Sequence, residues 1–107
     1  NPAAVNISAF DLSVLRGDGI FEATTVFKGF PISLENHLRR LSDSARLMDL
    51  PTPNIAAITR GIEKVMSAMM ILTGTILRII VSRGLDQETG IGKAAAASGN
   101  TVPTIFI

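Results

Sequence analysis

The order of apolar patterns along the chain is the feature that most constrains its fold. Two stretches rich in β-branched residues, "GIFEATTVFKG" and "TILRIIVSRG", flank a region in which apolar residues recur at helical spacing. A third stretch of strand type, "TVPTIFI", ends the sequence. The order is strand, turn, helix, helix, strand, loop, strand. It predicts an α+β fold, a small two-layer domain whose mostly antiparallel sheet is covered by two helices.

The central region is expected to form two separate helices. Ser33 is expected to cap the first helix through its hydroxyl, and Pro51 to end it. Thr52 is expected to cap the second helix, with Pro53 at its first position. The stripes expected to face the core are Leu34, Leu38, Leu41, Ala45 and Met48, and then Ile55, Ile58, Ile62, Val65 and Met69.

Composition excludes several functional classes. The 107 residues suffice for one domain, and the net charge of +1 gives no reason to expect nucleic acid or a membrane as partner. The longest apolar stretch, 68–82, is interrupted by Gly74 and Arg78 and does not read as a membrane span. One histidine and no cysteine leave no plausible zinc site and fit a reducing, cytoplasmic location.

Two features indicate a chain that belongs to something larger. It does not begin with Met, and its last apolar strand has nothing after it to cover it. The hydrophobic content of 47% is also high for so small a domain. Surplus apolar surface usually meets another domain or another subunit, so both are expected as partners.

The candidate chemistry begins on the first helix. His37, Arg40 and Ser44 share one side of it, beside the apolar stripe. Arginine beside a buried stripe, near a helix start, suits a phosphate. A solvated face with a partly covered histidine explains the same pattern, so spacing alone leaves both interpretations open.

Other charged residues lie within or beside the strands. Asp18, between two glycines, reads as part of a plain turn, and Glu22 as an outward-facing strand residue. Arg78 interrupts an apolar strand and is expected to need an anion, either a structural ion-pair partner or a ligand carboxylate. Arg83 ends that strand, where binding residues often collect. The stretch 85–100 is expected to be a long loop, and its "GIGK" lacks the spacing of a phosphate loop.

Three motifs in order resemble the N-terminal domain of the class IV, pyridoxal-phosphate-dependent aminotransferases. They are "RGDGIFE" at 16–22, "HLRRL" at 37–41 continued by "SARLMDLP", and "LRIIVSRG" at 77–84. The sequences of these motifs are most similar to those of actinobacterial proteins called aminodeoxychorismate lyase or class IV aminotransferase. The resemblance implies that residues 1–107 are the small N-terminal domain of a homodimeric enzyme. The C-terminal domain, with the lysine that bonds to the cofactor, is not part of this sequence.

The resemblance also implies roles for individual residues. Arg40 would bind the cofactor phosphate, and Phe21 and Arg78 would line the substrate side. D-Amino acid aminotransferases have Tyr at the position of Phe21, and branched-chain aminotransferases have Tyr at that of Ile76, so this chain departs from both. No lysine present matches the family's position; the three are Lys28, Lys64 and Lys93. No catalytic residue and no metal site are therefore expected in this chain, which alone should be inactive.

The resemblance favours one reaction and leaves others open. The first expectation is 4-amino-4-deoxychorismate lyase, which releases pyruvate and 4-aminobenzoate for folate synthesis. The alternatives are a branched-chain or D-amino acid aminotransferase acting on small amino and keto acids. A non-catalytic fragment or interaction module is the alternative from another class.

Overall fold

The computed structural model of the chain describes residues 6–68, 73–86 and 101–107. Its strands form one four-stranded sheet in the order β2-β1-β3-β4. The elements in chain order are α1 Leu12–Arg16, β1 Gly19–Phe27, β2 Phe30–Pro31, α2 Leu34–Leu47, α3 Ile55–Ala68, β3 Ile76–Asp86 and β4 Thr101–Phe106. The predicted α+β class is confirmed. Met69, Lys93 and residues 87–100 of the predicted loop lie outside the described residues, whereas Leu85 and Asp86, also predicted in that loop, belong to β3.

Internal contacts divide the chain into two compact units. The first comprises the chain up to Gly19 together with Ser82–Thr104, and the second comprises Ile20–Val81 together with Ile105–Ile107. The second unit contains the main hydrophobic core.

β1 alternates strictly between its two faces. Ile20, Glu22, Thr24 and Val26 are buried, and Phe21 is among the exposed residues between them. Side chains on successive strand residues point to opposite faces, so this alternation separates a core face from an open face. The open face carries the exposed residues Phe21, Thr25 and Phe27.

A two-residue turn joins β1 to β2. Lys28 and Gly29 both have positive φ, 48° and 82°, and the antiparallel register pairs Val26 with Pro31 and Phe27 with Phe30. Two left-handed residues suit a two-residue hairpin because their twist matches that of the strands. β3 is also antiparallel to β1, since Val26 N–H donates to the Thr75 carbonyl and Arg83 N–H to that of Asp18.

The core of the second unit forms where α2 and α3 cover the sheet. Its buried residues include Leu38, Leu41 and Ala45 from α2, Ile58 and Ile62 from α3, and Leu77, Ile79 and Val81 from β3. Leu34 and Ile55 pack partly against it. Met48, predicted to belong to the stripe, is instead 43% exposed because α2 ends at Leu47 and Met48 follows as its C-cap.

The helix caps differ from the sequence prediction. Ser33 does occupy the N-cap of α2, but its φ is 51° and its side chain makes no capping hydrogen bond. That left-handed backbone departs from the extended conformation in which a capping hydroxyl reaches the first-turn donors. The N-cap of α3 is Asn54 rather than Thr52, since its Oδ1 accepts from Ala57 N–H at 3.0 Å.

The first unit is organised by Asp11. Its carboxylate caps α1 by accepting from Ser13 N–H at 2.8 Å, and it also accepts from the Ser82 hydroxyl at 2.9 Å. Gly17, with φ 70°, ends the helix in the left-handed conformation.

Candidate anion-binding site

Glu22 is the unexpected residue of the second unit. Its side chain is only 6% exposed, and its two oxygens contact two basic residues of α2. Oε2 lies 2.7 Å from His37 Nδ1, and Oε1 lies 3.3 Å from Arg40 Nε. The prediction that Glu22 faces outward is wrong, because it shares the buried face of Ile20 and Val26. That shared phase was the signal that could have found it.

The two basic partners come from adjacent turns of α2. His37 and Arg40 are three residues apart, so their side chains are neighbours on the helix surface. A carboxylate only accepts hydrogen bonds, so His37 Nδ1 carries the proton of the shared bond. Ser44, predicted on the same side, is half-buried.

Arg40 presents the chemistry of an oxyanion site. Its side chain is 67% exposed, and Glu22 contacts it through Nε. The terminal Nη groups carry the remaining N–H donors of the guanidinium and suit the oxygens of a phosphate or carboxylate. The exposed guanidinium of Arg40 therefore fits the oxygens of a cofactor phosphate, while the buried Glu22 carboxylate contacts Arg40 from the side of the core.

Arg39 occupies different surroundings. It lines a cleft of about 460 Å³ near the start of α3, together with Leu34, Leu38 and Ile55. Glu35 lies four residues earlier, yet the two form no ion pair in the part of the chain that the structure describes. Arg39 and Arg40 thus point to different surfaces of α2, as expected from about 100° of rotation per helical residue.

The open face of the sheet brings Phe21 and Arg78 together. The Arg78 guanidinium lies 5.5 Å from the centroid of the Phe21 ring, which is 64% exposed. Arg78 is itself exposed and makes no structural ion pair among the described residues, so of its two expected anion partners only a ligand carboxylate stays a prediction. The apolar residues beside it, Ile76 and Ile80, are exposed on the same face. Both residues proposed to contact substrate are therefore adjacent, and the Arg78 charge faces solvent.

Arg40 is not on the same face as this pair. Its partner Glu22 lies on the covered face of β1, whereas Phe21 lies on the open one. The two candidate groups are therefore associated with opposite faces of β1.

Asp18, in the first unit, forms a second carboxylate cluster that a plain turn does not explain. Its Oδ2 accepts from Arg83 Nε and from Arg16 Nη2, each at 2.7 Å. Burial acts to raise the pKa of Asp18, but the hydrogen bonds and charges of Arg83 and Arg16 outweigh it and hold the pKa below its ordinary value. Arg83 is thus a buried ion-pair partner.

Lysines and metal ligands add no further site among the described residues. Lys28 lies in the β1–β2 turn over the Phe27 ring, and Lys64 is exposed on α3. Within ranges 6–68, 73–86 and 101–107, no group of three His, Cys, Asp or Glu residues could hold a metal ion. None of the helices in those ranges has the length and apolarity needed to cross a membrane.

The fold defines a class, the α+β domain of the class IV aminotransferases. The sequence pattern of the family described as amino-transferase class IV matches residues 19–107. The chain belongs to that family.

Comparison with individual proteins agrees. The chain is 38% identical over 108 residues to the bifunctional aminodeoxychorismate lyase / D-amino acid transaminase of Mycobacterium tuberculosis, covering 99% of this chain and 37% of that protein. The chain therefore spans little more than a third of this relative's length.

Two solved structures share the fold. The PLP-bound form of a hypothetical aminotransferase from Mycobacterium tuberculosis superposes with a TM-score of 0.78 at 36% identity, covering 98% of this chain and 34% of that one. The 4-amino-4-deoxychorismate lyase of Pseudomonas aeruginosa gives a TM-score of 0.69 at 29% identity, with coverages of 95% and 34%.

Proposed function

We propose that this chain is the N-terminal domain of a pyridoxal-phosphate-dependent 4-amino-4-deoxychorismate lyase, which forms 4-aminobenzoate and pyruvate. The observation that carries the proposal is Arg40, an exposed guanidinium held from behind by the buried Glu22. Arg40 stands at the arginine of the "HLRRL" motif. Pyridoxal phosphate, when bound, supplies an electron sink for a carbanion on the amino substrate.

The residues of this chain bind and orient in this proposal. Arg40 holds the phosphate through charge-assisted hydrogen bonds from its Nη groups. Arg78, on the open face, holds a substrate carboxylate, and Phe21 beside it supplies an apolar wall. Proton transfer and covalent bonding to the cofactor belong to a C-terminal domain, so the chain alone is expected to be inactive.

Lyase activity is placed first for two reasons. One relative is named for it, and a structural neighbour is a 4-amino-4-deoxychorismate lyase. Phe21 also has no hydroxyl to donate to a substrate carboxylate, which disfavours a site that needs one there. D-Amino acid transamination is the second candidate, because the same relative carries that activity in its name.

The test is a product assay on the full-length protein. Supplied with aminodeoxychorismate and pyridoxal phosphate but no keto acid, a lyase is expected to release 4-aminobenzoate continuously. A transaminase would instead require an added keto acid and would aminate it at the expense of a D-amino or branched-chain donor. Amino transfer without any 4-aminobenzoate would overturn the lyase assignment while leaving the family unchanged.

The remaining expectations concern the whole protein. We propose a homodimer in the cytoplasm, with the C-terminal domain of the same chain and a small amino or keto acid as the partners of this domain. The rival function is a non-catalytic interaction module. A full-length protein that binds no pyridoxal phosphate would favour that module.

A further inference from the structure

We propose that Glu22 is a positioning residue, which aims the Arg40 guanidinium at the cofactor phosphate and is itself locked in place by His37. The inference rests on the proposed function, because it assigns Arg40 to the phosphate. It goes further in giving a role to a carboxylate that makes no contact with the phosphate itself.

The burial of Glu22 shows that its partners are essential to it. A carboxylate that is 6% exposed is costly to ionise unless each oxygen is paired. Both oxygens are paired, one with His37 and one with Arg40. Among the described residues, His37 and Arg40 contact no other carboxylate.

The atom through which Arg40 is held decides what the rest of its side chain does. Glu22 contacts Nε, the nitrogen nearest the helix, at 3.3 Å. The contact is an ion pair rather than a directional hydrogen bond, so it favours guanidinium positions that keep Nε near the Glu22 carboxylate and thereby biases where the planar array of Nη donors lies. A free arginine would sample many rotamers at 67% exposure and lose that freedom on binding. Contact with Glu22 lowers this loss of conformational entropy, because the Arg40 side chain is already restricted before the phosphate binds.

His37 completes the arrangement from the other side. Its Nδ1–H donates to Oε2 at 2.7 Å, which prevents the carboxylate from rotating away from Arg40. His37 and Arg40 are on the same side of α2, so the two contacts tie one helix face to β1. The cluster therefore consists of a buried carboxylate held between two basic residues of α2, one of which, Arg40, is exposed.

The experiment measures binding of two ligands to the full-length protein. Pyridoxal phosphate and pyridoxal differ only in the phosphate group. Dissociation constants are measured for the wild type, Glu22→Gln, Arg40→Ala and the double variant. Glu22→Gln is expected to raise the dissociation constant of pyridoxal phosphate about tenfold and to leave that of pyridoxal unchanged. In the Arg40→Ala background the same change is expected to have no further effect, because the group that it aims is gone.

Thr24→Val is the matched control. Thr24 lies two residues further along the same buried face, and its hydroxyl donates to the Ile32 carbonyl at 2.6 Å. The change removes a buried hydrogen bond of β1 without touching Arg40. It is expected to lower thermal stability and to leave the ratio of the two dissociation constants at the wild-type value.

The outcomes separate the two proposals. Wild-type protein that does not bind pyridoxal phosphate overturns the proposed function and this inference with it. Loss of binding in Arg40→Ala with wild-type affinity in Glu22→Gln overturns the inference alone. If Glu22→Gln weakens the binding of pyridoxal phosphate and of pyridoxal equally, the inference is also overturned, because Glu22 would then affect binding of the whole cofactor and not of its phosphate alone. If Glu22→Gln does not fold, Glu22→Asp, which keeps the charge but shortens the reach, must change the ratio in the same direction, and an unchanged ratio overturns the inference.

Discussion

Asp18 and Glu22 lie four positions apart in the sequence, and each pairs with two basic side chains. In the Asp18 cluster the Arg83 side chain is 8% exposed, about as buried as the carboxylate that it binds. In the Glu22 cluster the carboxylate is 6% exposed and Arg40 67%. In the Asp18 cluster the Arg83 cation is buried with the carboxylate, whereas the Glu22 cluster keeps its Arg40 cation in contact with solvent.

The exposure of the basic partner separates a structural ion pair from a candidate binding site. A buried carboxylate needs cations in both cases, so its burial alone does not discriminate. The exposure of the cation does, because an exposed guanidinium still has donors to offer. By this criterion Arg83 is a structural ion-pair partner, and the exposed Arg40 is the cation that we propose for a ligand.

The largest expected effect is on stability. In the full-length protein, Arg83→Met is expected to lower the free energy of unfolding by about 3–5 kcal/mol, because it leaves a buried carboxylate without its main partner. Arg40→Met is expected to cost about 1 kcal/mol or less, since the pair is exposed on the arginine side and His37 still holds Glu22. Urea unfolding measures both free energies, and equal losses in the two variants would contradict the distinction between the Asp18 and Glu22 clusters.

The next effect is on cofactor affinity. Arg40→Ala is expected to raise the dissociation constant of pyridoxal phosphate about tenfold to a hundredfold, since a contact between charged groups is lost. Arg39→Ala is expected to stay within about threefold, because Arg39 is a surface residue of another cleft. A titration at one salt concentration compares them. A larger loss for Arg39 would mean that the wrong arginine is assigned to the phosphate.

A smaller effect concerns pH. The pKa of Asp18 is lowered in the folded state, so the unfolded chain takes up this proton at a higher pH than the folded one. Stability from this group is therefore present above the ordinary carboxyl pKa and decreases as the pH falls below about 4. Urea midpoints measured across this range are expected to fall less steeply for Asp18→Asn than for the wild type. Asp43→Asn, which alters an exposed carboxylate of α2, is the control and should keep the wild-type profile.

The smallest effect is expected on the open face. Arg78→Met removes a cation–π contact that is worth about 0.5–1 kcal/mol at an exposed site, so unfolding should change by no more than that. If Arg78 binds a substrate carboxylate, KM in the full-length enzyme should rise about tenfold while the affinity for pyridoxal phosphate stays unchanged. A loss of stability comparable to that of Arg83→Met would contradict its placement on the open face.

Periodicity made most of the fold predictable. Apolar residues recur at a constant spacing over many residues in α2, in α3 and in β1. This spacing predicted the two helices and the strand, and the structure contains all three. Backbone dihedrals at single positions carry no such signal. The left-handed φ of Ser33 and the choice of Asn54 over Thr52 as N-cap both depend on local chain geometry that two similar polar residues do not distinguish.

The candidate site was predictable only in part. Arg40 stands in a recognisable motif, although its role remains a proposal. Glu22 was misplaced because a charged residue in a strand was assumed to face water, against the phase set by Ile20 and Val26. The exposure of Arg78 was not predictable, because its strand has apolar residues on both faces and the alternation does not reveal which face is open.

The tight turn at Lys28 and Gly29 has a consequence for the order in which the molecule assembles. It folds β1 back with minimal loop, so that Glu22 and His37 meet across a sequence separation of only 15 residues. Asp18 and Arg83 must close a separation of 65. Short closures are entropically cheaper and faster, and chains fold from the N-terminus as they are synthesised. The contact between Glu22 and His37 can therefore form on the ribosome before Arg83, the buried partner of Asp18, has been translated.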